Sequence, residues 1–291
     1  MIHRSLLRYR GARYLWWSLA LVAICSVLYA TQPNDVQPPN GGTWQGYVLG
    51  TVGALLIVWL TLLAIRKRSY KSTAGTVQGW TSAHVYLGSA LLIIATLHCG
   101  VQFGWNVHTL AYALMCIVIF SGFFGLYSYI NHPQLISANR AGGARSALFA
   151  ELFELDKQAR SLAQRCAPGI TIAVNSSIER TAVGGGVYEQ LFSADNSYFV
   201  RGEGALTRNA DQQTVIDFVA ERLPRAEKGA EAATLQQLIV LLCRRQAIVR
   251  RLRRDIRLHG WLKIWLYFHI PMTVALLVAL VLHIVVTFFY W

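Results

Sequence analysis

The charges of this chain are confined to a few segments. Residues 14–34, 36–65, 72–139 and 264–291 contain no Asp, Glu, Lys or Arg. A bilayer excludes ionisable side chains because moving them into hydrocarbon is costly. About 20 mostly apolar residues make a helix that crosses it. The first, second and fourth stretches each fit one such helix. The third, 68 residues long, must hold two, and the polar run 102–108 (Gln-Phe-Gly-Trp-Asn-Val-His) is the natural turn. The expected fold is therefore an all-α membrane bundle with five transmembrane helices, near 14–30, 44–65, 79–102, 108–130 and 261–289. A basic start before an apolar run also resembles a secretory signal; we read the first segment as a retained span.

All 27 Lys and Arg fall within 4–13, 66–71 and 140–263. With five spans, these segments share one side, and basic loops stay in the cytoplasm. The expected topology is a multi-pass protein of the bacterial inner membrane, with the N-terminus and residues 131–260 cytoplasmic and the C-terminus outside. The net charge of +13 then follows from topology and calls for no nucleic acid. The five cysteines form no CxxC and no CxxCH. That argues against covalently attached haem, an iron–sulfur site within the chain, or a disulfide framework.

The chain thus divides into 1–130 (transmembrane helices 1–4), 131–260 (a cytoplasmic insert) and 261–291 (transmembrane helix 5). In the insert, Leu148, Leu152, Leu155, Ala159 and Leu162 repeat at helical spacing, which predicts a helix over 144–166 ended by Pro168-Gly169. Short β-like runs follow at 170–174, 187–192 and 198–201. A helix over 211–223 and a long one over 231–258, striped by Leu235, Leu238, Leu242, Val249, Leu252 and Ile256, complete it. The expectation is a helical hairpin extending the fourth and fifth spans, with a small α/β tip. The Arg-rich run 244–257 reads first as a solvated face beside anionic lipid headgroups, and second as a docking surface for an acidic partner or haem propionates. Gly184-Gly185-Gly186 lacks the context of a nucleotide loop.

Four histidines lie inside the apolar stretches, in two pairs. His84 and His98 share the third span; His269 and His283 share the fifth. Fourteen residues of helix give roughly 21 Å of rise and about 40° of rotation, so each pair occupies nearly one face at two depths. The two spans run parallel, which sets His84 level with His269 and His98 level with His283. Each level offers two imidazoles, the axial pair of one haem iron. The expected metal ligands are these four, holding two b-type haems, inner (His84 and His269) and outer (His98 and His283). Zinc would gather its ligands at one depth.

Small residues such as Gly88, Ser89, Ala90, Ala95, Gly122 and Gly125 would open a gap for the macrocycle, or simply pack helices. Pro271 would kink its helix and aim His269. Propionates want donors: Arg66, Lys67, Arg68, Lys71, Arg257 and Lys263 inside, and only Trp105, Asn106 and His108 outside. Trp80, Trp105, Trp261 and Trp291 read as interfacial anchors, and His3, His132 and His259 as surface residues.

The paired histidines resemble those of the cytochrome b family of bc-type complexes, in which two parallel helices separated by one helix each carry two His about four turns apart. The chain departs from that family in its extra first span, in its insert, and in lacking a Pro-Glu-Trp-Tyr quinol-oxidation motif. It is also similar to the membrane part of ferric reductases and NADPH oxidases, which continue into a further helix and a flavin and nicotinamide domain. The resemblance implies a dihaem electron carrier and a subunit of a larger redox complex. A membrane quinone or cytoplasmic donor would stand on one side and a c-type cytochrome or iron–sulfur protein on the other. Two other readings stay open: a non-redox scaffold or assembly factor acting through its insert, and a haem transporter.

Overall fold

The computed structural model describes residues 6–32, 40–69, 73–139, 143–192, 195–201, 204–226 and 229–289. Its helices are α1 (Arg13–Ala30), α2 (Trp44–Arg68), α3 (Val77–Cys99), α4 (Val107–Asn139), α5 (Arg145–Ala163), α6 (Pro168–Glu179), α7 (Val187–Phe192), α8 (Gln213–Ala220) and α9 (Ala230–Phe289). A β-hairpin, β1 (Tyr198–Arg201) and β2 (Ala205–Arg208), lies between α7 and α8. The chain forms two compact units, one from the described residues of 1–130 and 264–291, the other from those of 131–263.

Among the described residues, five helices are long and apolar enough to cross a membrane: α1, α2, α3, α4 and α9. Each exposes most of its apolar surface. Trp17, Ile24, Leu55, Val58, Phe120, Val278 and Phe288 are all exposed, a display that water would not tolerate and that hydrocarbon covers at no penalty. This is a membrane protein by composition, length and surface. The buried side chains form narrow seams. Cys25, Leu49, Ala90 and Ile94 join α1, α2 and α3; Ile57, Leu91, Met115 and Leu276 join α2, α3, α4 and α9.

Local chemistry sets the helix ends. The hydroxyls of Thr43 and Thr76 accept from the backbone N–H of Gly46 (3.0 Å) and Gly79 (3.1 Å), capping α2 and α3. Gly100, in left-handed conformation, stops α3 at Cys99, short of the expected residue 102. Asn106 Oδ1 accepts from Thr109 N–H at 2.9 Å at the start of α4. Arg66, Lys67 and Arg68 fill the last turn of α2, where cations suit the helix dipole.

In the second unit, Leu148, Leu152 and Leu155 of α5 pack on Ile248, Val249 and Leu252 of α9, the two stripes meeting as a pair. A further core gathers Ala159, Ile170, Val174, Phe199, Val219, Leu238 and Leu242. Two of the expected β-like runs are helices. Residues 170–174 belong to α6, because Pro168 opens a helix and Ile170, Ala173 and Val174 present one buried face at helical spacing. Pro168 therefore starts an element rather than ending one. Residues 187–192 form α7. Only 198–201 is a strand, paired antiparallel with β2. The expected helix over 211–223 is shorter, α8, flanked by 3-10 turns. No break separates the insert's last helix from the fifth span: α9 is continuous through Gly260, where Leu191 packs 3.4 Å from the place a Cβ would take.

The Arg-rich run is not simply a solvated face. Arg245 is 2% exposed and reaches Asp156 (2.5 Å), Gln212 (2.7 Å) and Thr181 (2.9 Å). Arg253 grips both carboxylate oxygens of Asp195 (2.6 and 2.7 Å) and donates to the Ala182 carbonyl at 2.8 Å. Arg250 pairs with Asp211. These guanidiniums tie α9 to α5 and to the loops between α6 and α8, while Arg244, Arg251 and Arg254 remain exposed.

Candidate functional site

The four intramembrane histidines sit on α3 and α9, and each is partly buried. Their rings share one feature that no spacing argument could reveal: every Nδ1 is engaged. His84 Nδ1 lies 3.1 Å from the Leu60 carbonyl, and His98 Nδ1 lies 2.8 Å from the Gly46 carbonyl. A carbonyl only accepts, so in both rings Nδ1 carries the proton and donates. His269 Nδ1 lies 2.7 Å from Ser121 Oγ. Ser121 Oγ also lies 2.8 Å from the Val118 carbonyl, and a hydroxyl that donates there accepts from His269. His283 Nδ1 meets His108 Nδ1 at 2.6 Å. Two of the four rings, His84 and His98, are thereby fixed as the tautomer whose Nε2 bears a lone pair, and His269 and His283 have partners that suit the same state.

The pairing across helices is direct at one level. The ring centres of His98 and His283 are 5.9 Å apart, with planes at 80°. An imidazole nitrogen binds a first-row metal at about 2 Å, which puts the ring centres of two ligands on opposite sides of one ion about 6 Å apart. His98 and His283 fit that separation. Among the described residues, no group of three or more His, Cys, Asp or Glu gathers as a metal cage.

Glycines make room around the rings. A Cβ on Gly50 would fall 2.7 Å from His98 Cε1, and one on Gly41 would fall 3.1 Å from it. A Cβ on Gly122 would meet His269 Cε1 at an ordinary 3.7 Å, and one on Gly125 would collide with the Trp265 indole, whose Nε1 donates to the Ser121 carbonyl at 2.8 Å. A Cβ on Gly88, expected to open space for a macrocycle, would meet Leu60 of α2 at 3.9 Å.

The expected propionate donors have these surroundings. Arg66 donates to the backbone carbonyls of Ser69 (3.0 Å) and Gly75 (2.6 Å) and closes the α2–α3 turn. Asn106 is occupied as a helix cap, and Trp105 is fully exposed. His108 touches the His283 ring itself, with ring centres 4.6 Å apart. Lys71 lies outside the described residues, as do His3 and Trp291. Arg257 belongs to the second unit, where it is partly exposed. His132, expected at the surface, is buried. His259 is half-exposed and donates from Nδ1 to the Asp255 carbonyl at 2.9 Å.

Sequence reasoning missed Ser121, Gly41, Gly46 and Gly50 and the ring-orienting role of His108. A serine beside a glycine in an apolar run, and glycines four apart at the start of α2, were the available signals, and both also read as ordinary small-residue helix packing. No protein-family model, curated protein or solved structure matches this chain.

Proposed function

We propose that this chain is a dihaem b-type cytochrome of the bacterial inner membrane that passes electrons across the bilayer as one subunit of a larger redox complex. The observation that carries this reading is the common state of the four intramembrane histidines: each Nδ1 is hydrogen-bonded, which leaves Nε2 for a metal. His259, which is no candidate ligand, also engages its Nδ1; what distinguishes the four is that engagement together with their paired placement on α3 and α9. His84 with His269 would hold one haem and His98 with His283 the other. When bound, haem supplies reversible one-electron chemistry at iron, and two imidazoles per iron leave no open position for oxygen.

The residues around the rings have defined tasks in this reading. The Gly46 and Leu60 carbonyls lock two tautomers and raise the basicity of those ligands, and Ser121 can do the same for His269 as an acceptor. His108 orients His283 on the outer side. The basic segments favour a cytoplasmic N-terminus and a cytoplasmic insert, residues 131–260. A membrane quinone or a cytoplasmic protein would stand on that side, with a c-type cytochrome or iron–sulfur protein outside. The likeness to cytochrome b and to ferric reductase membrane domains rests on the histidine pattern.

The test is electron transfer across a sealed membrane. Vesicles containing the purified protein and trapped ferricyanide should bleach when an impermeant reductant is added outside. Vesicles carrying His98→Ala should not. Equal bleaching in both would reject the wire.

A further inference from the structure

A cavity of about 360 Å³ lies in the first unit, among the turn before α1, the middle of α2 and the start of α3. Its size falls within the range of small-molecule sites. Two of its walls are aromatic. Trp59 and Trp80 stack with ring centres 5.1 Å apart and planes at 7°, and Tyr9 stacks with Tyr14 at 6.1 Å. Arg10 and Arg13 also line it. Their guanidiniums lie over the Tyr9 and Tyr14 rings at 5.7 and 5.0 Å, and among the described residues neither forms an ion pair.

Charge makes this pocket unusual. Asp35 is the only acidic residue before Glu151, and none follows Asp255. No carboxylate in the described part of the membrane unit can neutralise Arg10 or Arg13. The backbone that sets them is also unusual, since Arg10, Gly11 and Ala12 are all left-handed (φ 45°, 69° and 58°). That conformation is uncommon for arginine and alanine and persists where the surroundings enforce it. Tyr86 anchors the same turn, donating to the Leu7 carbonyl at 2.9 Å. The polar atoms of the neighbouring wall are already engaged: Trp80 Nε1 donates to the Ala74 carbonyl at 2.5 Å and Thr76 Oγ1 to Tyr9 Oη at 3.1 Å. Among the described residues of this pocket, the two guanidiniums are the charged donors without an acidic partner.

We propose that this pocket binds the headgroup of an anionic phospholipid. Guanidinium is the side chain that best matches phosphate oxygens, basic pockets between membrane helices are suited to acidic headgroups, and Trp and Tyr favour the headgroup level. Exposed Trp16 and Trp17 on α1 continue the apolar surface along which acyl chains would lie. A free phosphate would use the arginines alone; a phospholipid uses the arginines and the aromatic walls.

Native mass spectrometry of the full chain in mild detergent tests this, with phosphatidylglycerol, phosphatidylcholine or inorganic phosphate added. One phosphatidylglycerol should be retained per chain, phosphatidylcholine far less, and phosphate should not displace the lipid. Arg10→Gln with Arg13→Gln should weaken retention by about 10-fold or more. Arg10→Gln alone, an exposed side chain, should give a partial loss and serves if the double variant does not fold. Retention of phosphatidylglycerol unchanged by both variants, equal retention of phosphatidylcholine, or displacement by phosphate would overturn the assignment.

Discussion

His98 of α3 and His283 of α9 meet edge-on with ring centres 5.9 Å apart, although 185 residues separate them in the chain (283 − 98). Nothing local holds them there. His98 is aimed by the Gly46 carbonyl of α2 at 2.8 Å, and His283 by His108 of α4 at 2.6 Å. Four helices thus converge on one pair of imidazoles.

The approach of α2 to His98 can be tested with a methyl group. Gly50→Ala would place its Cβ 2.7 Å from the ring, so the ring must move or the helices part. That costs about 1–3 kcal/mol and should release the haem of that level. Gly53→Ala meets Leu91 at an ordinary 3.7 Å and should keep two haems. Haem content and thermal unfolding of the two variants in detergent distinguish them.

His108 should act through His283. When His283 ligates through Nε2, its Nδ1–H donates to His108, making the ligand more basic and favouring ferric iron. Replacing His108 with Ala should raise the midpoint potential of one haem and leave the other unchanged. It should also weaken retention of that haem by about 10- to 100-fold. A redox titration followed by absorbance, with Asn as the conservative replacement, reads this out. Unchanged potentials would leave His108 a packing residue.

The buried guanidinium of Arg245 should carry much of the second unit's stability. Removing one partner of a buried pair strands the other, so Arg245→Ala should cost about 3–5 kcal/mol. Arg245→Met combined with Asp156→Leu should recover most of that loss, because it leaves no charge unpaired. Chemical denaturation followed by far-UV circular dichroism gives both values.

Asp195 couples the same unit to acid. Burial acts to raise its pKa, but hydrogen bonds from Ser197 and Arg253, the Arg253 charge and the Asp211 backbone N–H outweigh it and hold the carboxyl below its ordinary range. The ionised form therefore contributes its full stability above about pH 4, where the unfolded carboxyl is also ionised. That contribution fades as pH falls from there through the lower folded value. Asp195→Asn should be less stable than the parent at neutral pH, and the gap should narrow as pH drops below 4. A constant gap across pH would remove Asp195 from the acid response.

What the sequence made readable, and what it hid, follows from the range of each interaction. The five long apolar helices were legible because hydrocarbon selects against charge along whole segments, and the histidine spacing was legible because a helix converts residue number into depth and direction. The Nδ1 partners were not. The Gly46 and Leu60 carbonyls carry no side-chain signal, and Ser121 looks like any small residue in an apolar helix. Residues 170–174 and 187–192 look extended by composition, but the opening proline of α6 and the burial of Ile170, Ala173 and Val174 override that propensity. Arg245 and Arg253 read as surface charge until Asp156 and Asp195, more than fifty residues away in the chain, came to meet them.

The most direct measurement is the haem content of the purified chain, by pyridine haemochrome and a dithionite-reduced minus oxidised spectrum. Two b-type haems per chain are expected in the parent. One should be lost in either His98→Ala or His283→Ala, and the other in either His84→Ala or His269→Ala. Protein made under haem-replete conditions that carries no haem, or that keeps two after loss of any of these histidines, would contradict the assignment.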